Sequence, residues 1–170
     1  KGITILKGIE VEILEDGRLD LADSVLAKLD LVVGTIHQQF GLSMQKQTER
    51  ILRAMDHPHF TFLAHPTGRS INEREPYEVD MVQVIHKARQ RRCFLELNAN
   101  PKRLDLYDTY CQMAKAEGVL VAINSDAHTE NALDHIRFGV GQARRGWLEK
   151  DDVLNTRPLR DLQKLLKQTM

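Results

Sequence analysis

The 170-residue chain has only two cysteines, Cys93 and Cys111, and they form no C-x-x-C pair. Both sit in apolar contexts, which argues against a disulfide framework and predicts buried free thiols in a reducing, cytoplasmic compartment. Net charge is missing too, because 24 Lys+Arg balance 24 Asp+Glu. Bulk electrostatics therefore give no general pull toward nucleic acid or membrane, and any polyanion contact must come from a local patch. No apolar run approaches the length of a bilayer span, and no secretory leader pattern is visible, so no membrane partner is expected. Neither G-x-G-x-x-G nor G-x-x-x-x-G-K-[ST] occurs, which weakens dinucleotide and nucleoside-triphosphate readings. Low-complexity segments and linkers are also lacking. With 42% hydrophobic and 28% charged residues, residues 1–170 read as one globular domain with a sizeable core.

Five short apolar runs are present, at 3–13, 31–37, 60–65, 93–98 and 119–124. They are rich in β-branched and aromatic residues, as suits strands covered on both faces of a parallel sheet. Helical patterns fill the gaps at 19–29, 43–55, 79–89, 106–118 and 158–166. Ser43 is placed to cap the second of these, Gly118 to stop the fourth, and Pro158 lies near the first turn of the last. Strands alternating with helices imply βα units with right-handed crossovers. The fold class is α/β, as a barrel or an open doubly wound sheet.

A pattern recurs along these runs. Strand one carries Glu10 and Glu12 near its end, strand two ends at His37, and strand three at His65. Strand four ends at Asn98 after Glu96, and strand five leads into Asp126 and His128. The carboxyl ends of parallel strands share one face, so these residues are expected to converge on one cleft. Imidazoles mixed with carboxylates suit zinc or manganese. Asp126 and His128, two apart, would point to one side if the backbone stays extended. Such a set exceeds the needs of one tetrahedral ion. Spacing does not choose between Glu10 and Glu12, which share a face. His57, His59, His86 and His135 read as surface or packing residues, and Asp126 or Thr129 could also cap a following helix.

The stretches G-I-E (8–10), G-T-I-H-Q-Q-F (34–40), A-H-P-T-G-R (64–69), L-E-L-N-A-N-P-K-R-L-D-L (95–106), S-D-A-H (125–128) and G-V-G-Q-A-R-R-G-W-L (139–148) resemble a PHP (polymerase and histidinol phosphatase) domain. The similarity is greatest to the C-terminal PHP domain of bacterial family X DNA polymerases. The resemblance implies a distorted seven-stranded (βα) TIM-like barrel with two or three Mn2+ or Zn2+ ions at the strand ends. It implies phosphoesterase chemistry, a 3'-5' exonuclease or phosphodiesterase acting on DNA ends. It assigns Glu10, His37, His65, Asp126 and His128 to metal-ligand positions, prefers Glu10 over Glu12, and makes Asp126 and His128 catalytic.

The family's H-x-H on its first strand has no counterpart here, and five strands are counted where the barrel has about seven. The expectation is a C-terminal portion of a PHP domain, about its last five βα units, following an upstream polymerase domain. Such a piece alone would expose its first strand's edge and self-associate. Arg69 and Arg103 follow strands three and four closely and are candidate phosphate clamps, with Asn98 a further candidate for a substrate oxygen. Two alternatives stand beside the exonuclease: a phosphomonoesterase of the histidinol-phosphatase type, and an inactive structural or interaction module.

Overall fold

The computed structural model describes residues 2–169. Five strands, β1 (Gly8–Glu12), β2 (Leu31–Thr35), β3 (Phe62–Leu63), β4 (Phe94–Asn98) and β5 (Val121–Asn124), form one sheet in the order β1-β2-β3-β4-β5. Every neighbouring pair is parallel. A doubly wound sheet reverses its strand order at a switch point. This sheet does not, so of the two α/β architectures it follows the barrel-like winding, consistent with a partial TIM-like barrel.

Helices α1 (Asp23–Leu26), α2 (Met44–Met55), α3 (Met81–Arg91), α4 (Asp108–Ala116), α5 (Ile136–Arg145) and α6 (Leu159–Lys167) fill the connections and the tail. Side-chain alternation along the strands divides the core in two. Val32, Leu63, Leu95, Leu97, Val121 and Ile123 pack with α2 to α5, where Ile51, Ile85, Ala114 and Ala143 are buried. Phe62, Phe94 and Ala122 face the other way and pack against Leu162, Leu165 and Leu166 of α6. β4 is buried at all five positions, as its uninterrupted apolar run requires. Gly34 in β2 leaves room for the Phe60 ring, since a Cβ there would lie 2.2 Å from Phe60 Cε2. Cys93 and Cys111 are free and buried, and burial pushes both thiols up to about 12. Among the described residues no helix is long and apolar enough to cross a membrane.

Several elements are shorter than their sequence patterns predict. The first run forms a strand only at Gly8–Glu12; Ile3 and Ile5 are 91% and 85% exposed, because among the described residues no strand pairs beyond β1 to cover them. The 19–29 pattern yields only the four residues of α1. Its leading Leu19 is drawn into an antiparallel bridge with Ile13, closed by a turn in which Leu14 N donates to Arg18 O. β3 is limited to two residues: Thr61 N still donates to Val32 O at 2.9 Å, but the Thr61 hydroxyl takes the Val32 N–H at 3.1 Å, and His65 turns to φ +25°. Helix α5, Ile136–Arg145, lies in a stretch where the sequence pattern delimits no helix.

Helix ends follow side-chain chemistry. Ser43 Oγ accepts from Lys46 N at 3.4 Å, and Gly118, at φ +69°, follows α4. At α3 the sequence pattern did not single out the cap, Asp80. Its Oδ1 accepts from Val82 N and Gln83 N at 3.1 Å each, and Oδ2 from Gln83 Nε2 at 2.8 Å. These bonds, that of the Gln83 side chain first, hold the Asp80 carboxyl below its ordinary range. Asp80→Ala is expected to cost about 1 kcal/mol. A depressed native pKa means that the cap's contribution is complete above the unfolded carboxyl pKa and fades as pH falls through the native value. The stability gap between wild type and variant should therefore narrow in acid, as thermal melts across pH would register.

Candidate metal centre at the strand ends

The sheet face shared with α6 changes character along the strands. Its amino-terminal half carries Leu31, Phe62 and Phe94; its carboxyl-terminal half carries Glu10, Thr35, Glu96 and Asn98. Glu10 pairs in register with Val33 and Glu96 with Ala122, so alternation places both carboxylates on one face of the sheet, with β2 and β3 between their strands. His37 and His65 arrive from the turns after β2 and β3.

One group of donor atoms results. Glu10, His37 and His65 each offer a ligand atom, all within 4.8 Å of one another. Glu10 Oε1 lies 3.2 Å from His65 Nε2 and 3.5 Å from His37 Nε2. The Thr35 hydroxyl sits between the rings, 3.1 Å from His65 Nε2 and 3.4 Å from His37 Nε2. The hydrogen bond from His65 draws the Glu10 carboxyl down to about 2, against the opposing effect of burial. On His65, burial lowers the pKa, and Glu10, Glu96 and Asp105 outweigh it, so the net direction is upward.

Two buried carboxylates support this group. Glu96 accepts from His65 N at 2.8 Å and from Asn124 Nδ2 at 2.9 Å, which holds the His65 backbone at its positive φ. Asp105 accepts from Thr67 N at 3.0 Å and Gly68 N at 2.9 Å, fixing the turn just beyond His65. Burial raises the pKa of both. Glu96 lay in view at the end of β4; Asp105 lies in a loop and gave no periodic signal.

Asp126 and His128 do not join the three-residue group. Asp126 takes φ +52°, so the extended backbone assumed for the pair is broken there. Its Oδ2 lies 3.8 Å from Arg103 Nε, while His128 has a side chain 84% exposed and its Nδ1 2.9 Å from the Asp126 carbonyl oxygen. Arg103 keeps a buried Nη1 without a partner among the described residues. Arg69 donates through Nε to Arg103 O at 2.6 Å and through Nη2 to Leu104 O, with its guanidinium over the Tyr107 ring. The Asn98 amide is likewise engaged: Oδ1 accepts from Asn100 N at 3.0 Å, and Nδ2 lies 3.4 Å from Glu96 Oε2.

Comparison with known proteins finds relatives along most of the chain. A probable phosphatase of Thermoanaerobacter sp. (strain X514) is 29% identical over 166 residues, covering 92% of this chain. The DNA polymerase/3'-5' exonuclease PolX of Bacillus subtilis (strain 168) is 45% identical over 163 residues, 96% of this chain. These similarities are consistent with a PHP domain. A probable phosphatase of Caldanaerobacter subterraneus subsp. tengcongensis is 30% identical over 138 residues, covering 75% of this chain. The chain spans 29% of the length of PolX and 65% and 52% of the two phosphatases. No family model matches it.

The donor set suits the ion that such a family implies. One carboxylate held ionised and two imidazoles within bonding reach of a common point are hard and intermediate donors of the kind divalent zinc and manganese take. In addition, His65 Nδ1 is buried without a hydrogen-bond partner among the described residues.

Proposed function

We propose that this chain is a metal-dependent phosphoesterase module, a 3'-5' exonuclease or phosphodiesterase on DNA ends, within a family X polymerase of the cytoplasm. The observation that carries the reading is the Glu10–His37–His65 group, in a chain 45% identical to PolX. Mn2+ or Zn2+ would be held by these three residues, with Asp126 and His128 completing a site for two or three ions. When bound, a divalent ion supplies Lewis acidity toward phosphoryl oxygens and lowers the pKa of water.

The chain's own residues have separate tasks in this reading. Glu10 stays ionised and offers charge, and Thr35 bridges the two imidazoles. Glu96 fixes the His65 backbone. Arg103, with its unpartnered Nη1, holds a phosphoryl oxygen while Asp126 orients its guanidinium. Arg69 and Asn98 shape the surrounding loops, since their polar groups are engaged there. The unpaired outer edge of β1 is the surface through which isolated copies would associate.

Relatives named as probable phosphatases favour a second reading, phosphomonoester hydrolysis. One assay separates the two. The protein is incubated with Mn2+ and either a 5'-labelled single-stranded oligonucleotide or p-nitrophenyl phosphate. Stepwise shortening from the 3' end, stopped by a chelator, is the expected result. Turnover of the monoester alone would transfer the assignment to the phosphatase, and turnover of neither would leave a structural module.

A further inference from the structure

Arg50, in the middle of α2, heads the fully buried side chains by volume among the described residues, with 2% of its surface exposed. A guanidinium is retained in such a place only when its donors are paired. All three donor nitrogens turn toward the ends of β1 and β2. Nε reaches Ile13 O at 2.9 Å and Leu14 O at 3.0 Å, and Nη1 reaches Gln38 O at 3.1 Å and Gln47 Oε1 at 3.4 Å. Nη2 donates to Ile13 O and, at 3.2 Å, to Glu12 Oε1.

Glu12 carries the contact onward. Its carboxylate accepts from His37 N at 2.9 and 3.1 Å and from Gln38 N at 3.3 Å. The same carboxylate lies 3.3 Å from His37 Nδ1, while His37 Nε2 faces Glu10 and Thr35. Each ring nitrogen faces a carboxylate, but Glu12 is the nearer of the two and Glu10 Oε1 is already engaged by His65 Nε2 at 3.2 Å, so the proton is assigned to Nδ1. Nε2 is then the nitrogen with the free lone pair, and it faces the group formed with Glu10 and His65.

We propose that Glu12 and Arg50 are positioning residues for His37. Glu12 fixes the backbone of the turn after β2 and the Nδ1–H tautomer of the ring, and Arg50 fixes Glu12. Neither touches substrate or the reacting atoms. The inference rests on the metal reading above, since it states which His37 nitrogen is offered to a cation. It also assigns to Glu12 a task different from that of Glu10, two residues earlier on the same strand face.

The test uses the 15N-labelled protein free of metal, in mildly alkaline buffer. Two-bond 1H–15N correlation spectra report which His37 ring nitrogen is protonated, with the signals assigned by their loss in His37→Asn. The wild type is expected to show Nδ1–H. Glu12→Gln, whose amide can donate as well as accept, should give a mixture of tautomers. It should also weaken Zn2+ binding, measured by calorimetry, about 10- to 100-fold, and lower the melting temperature, because the buried Arg50 guanidinium loses its anionic partner. A merely structural role would not move the tautomer. Nε2–H in the wild type, or an unchanged tautomer and zinc affinity in Glu12→Gln, would overturn the proposal. Because the wild-type spectrum alone can overturn it, the test survives a variant that folds poorly. If the wild type shows Nδ1–H and the variant a mixture, but no zinc binds to either, the metal reading fails and the positioning of His37 stands.

Discussion

Glu10→Gln should abolish most metal-dependent phosphoester hydrolysis while leaving the fold intact. A bound divalent ion contributes several kcal/mol of charge stabilisation, and each 1.36 kcal/mol is a factor of ten in rate. Losing the ion's anionic ligand should therefore slow turnover by on the order of 10³. The carboxylate is the only anionic member of the three-donor group, and its hydrogen bond with His65 keeps it charged far into acid. Its side chain is 43% exposed, so the isosteric amide fits the same space and the melting temperature should hold. Zinc calorimetry beside a thermal melt separates the two effects. A variant that keeps its zinc affinity and its rate would remove Glu10 from the site.

Arg50→Met is expected to show the opposite profile, a large loss of stability. Methionine fills much of the same volume, so the cost is electrostatic. Glu12, with a side chain only 15% exposed, loses its cation, and the carbonyls of Ile13, Leu14 and Gln38 lose their donor. Breaking a buried pair from one side costs about 3–5 kcal/mol. For a chain of this size 1 kcal/mol moves the melting temperature by about 2–4 °C, so a fall of roughly 10 °C is expected in differential scanning calorimetry. A variant as stable as wild type would show that the guanidinium is not what joins α2 to the ends of β1 and β2.

The parts of this protein that were legible in sequence are those whose burial is complete. β4 and β5 read as continuous apolar runs because both faces are covered, and α2 and α3 read as stripes because one side meets the sheet. The pattern at 3–13 misleads because hydrophobicity signals a capacity for pairing, and among the described residues no strand pairs with 3–6. At the strand ends, alternation places Glu10 on the face it shares with Thr35 and Glu96, and one group gathers Glu10, His37 and His65. The same rule does not carry to Asp126 and His128, because a residue at φ +52° ends the alternation. Arg50 was invisible in advance: an arginine in an amphipathic helix ordinarily faces water, and only the turn after β2, folded back over α2, shows that this one does not.

In the proposed function, Glu10, His37 and His65 enclose one divalent cation. Crystals grown with Zn2+ and measured on both sides of its absorption edge test it directly. An anomalous peak within coordination distance of all three side chains is the expected result. A peak elsewhere in the protein, with none between these residues, would contradict it.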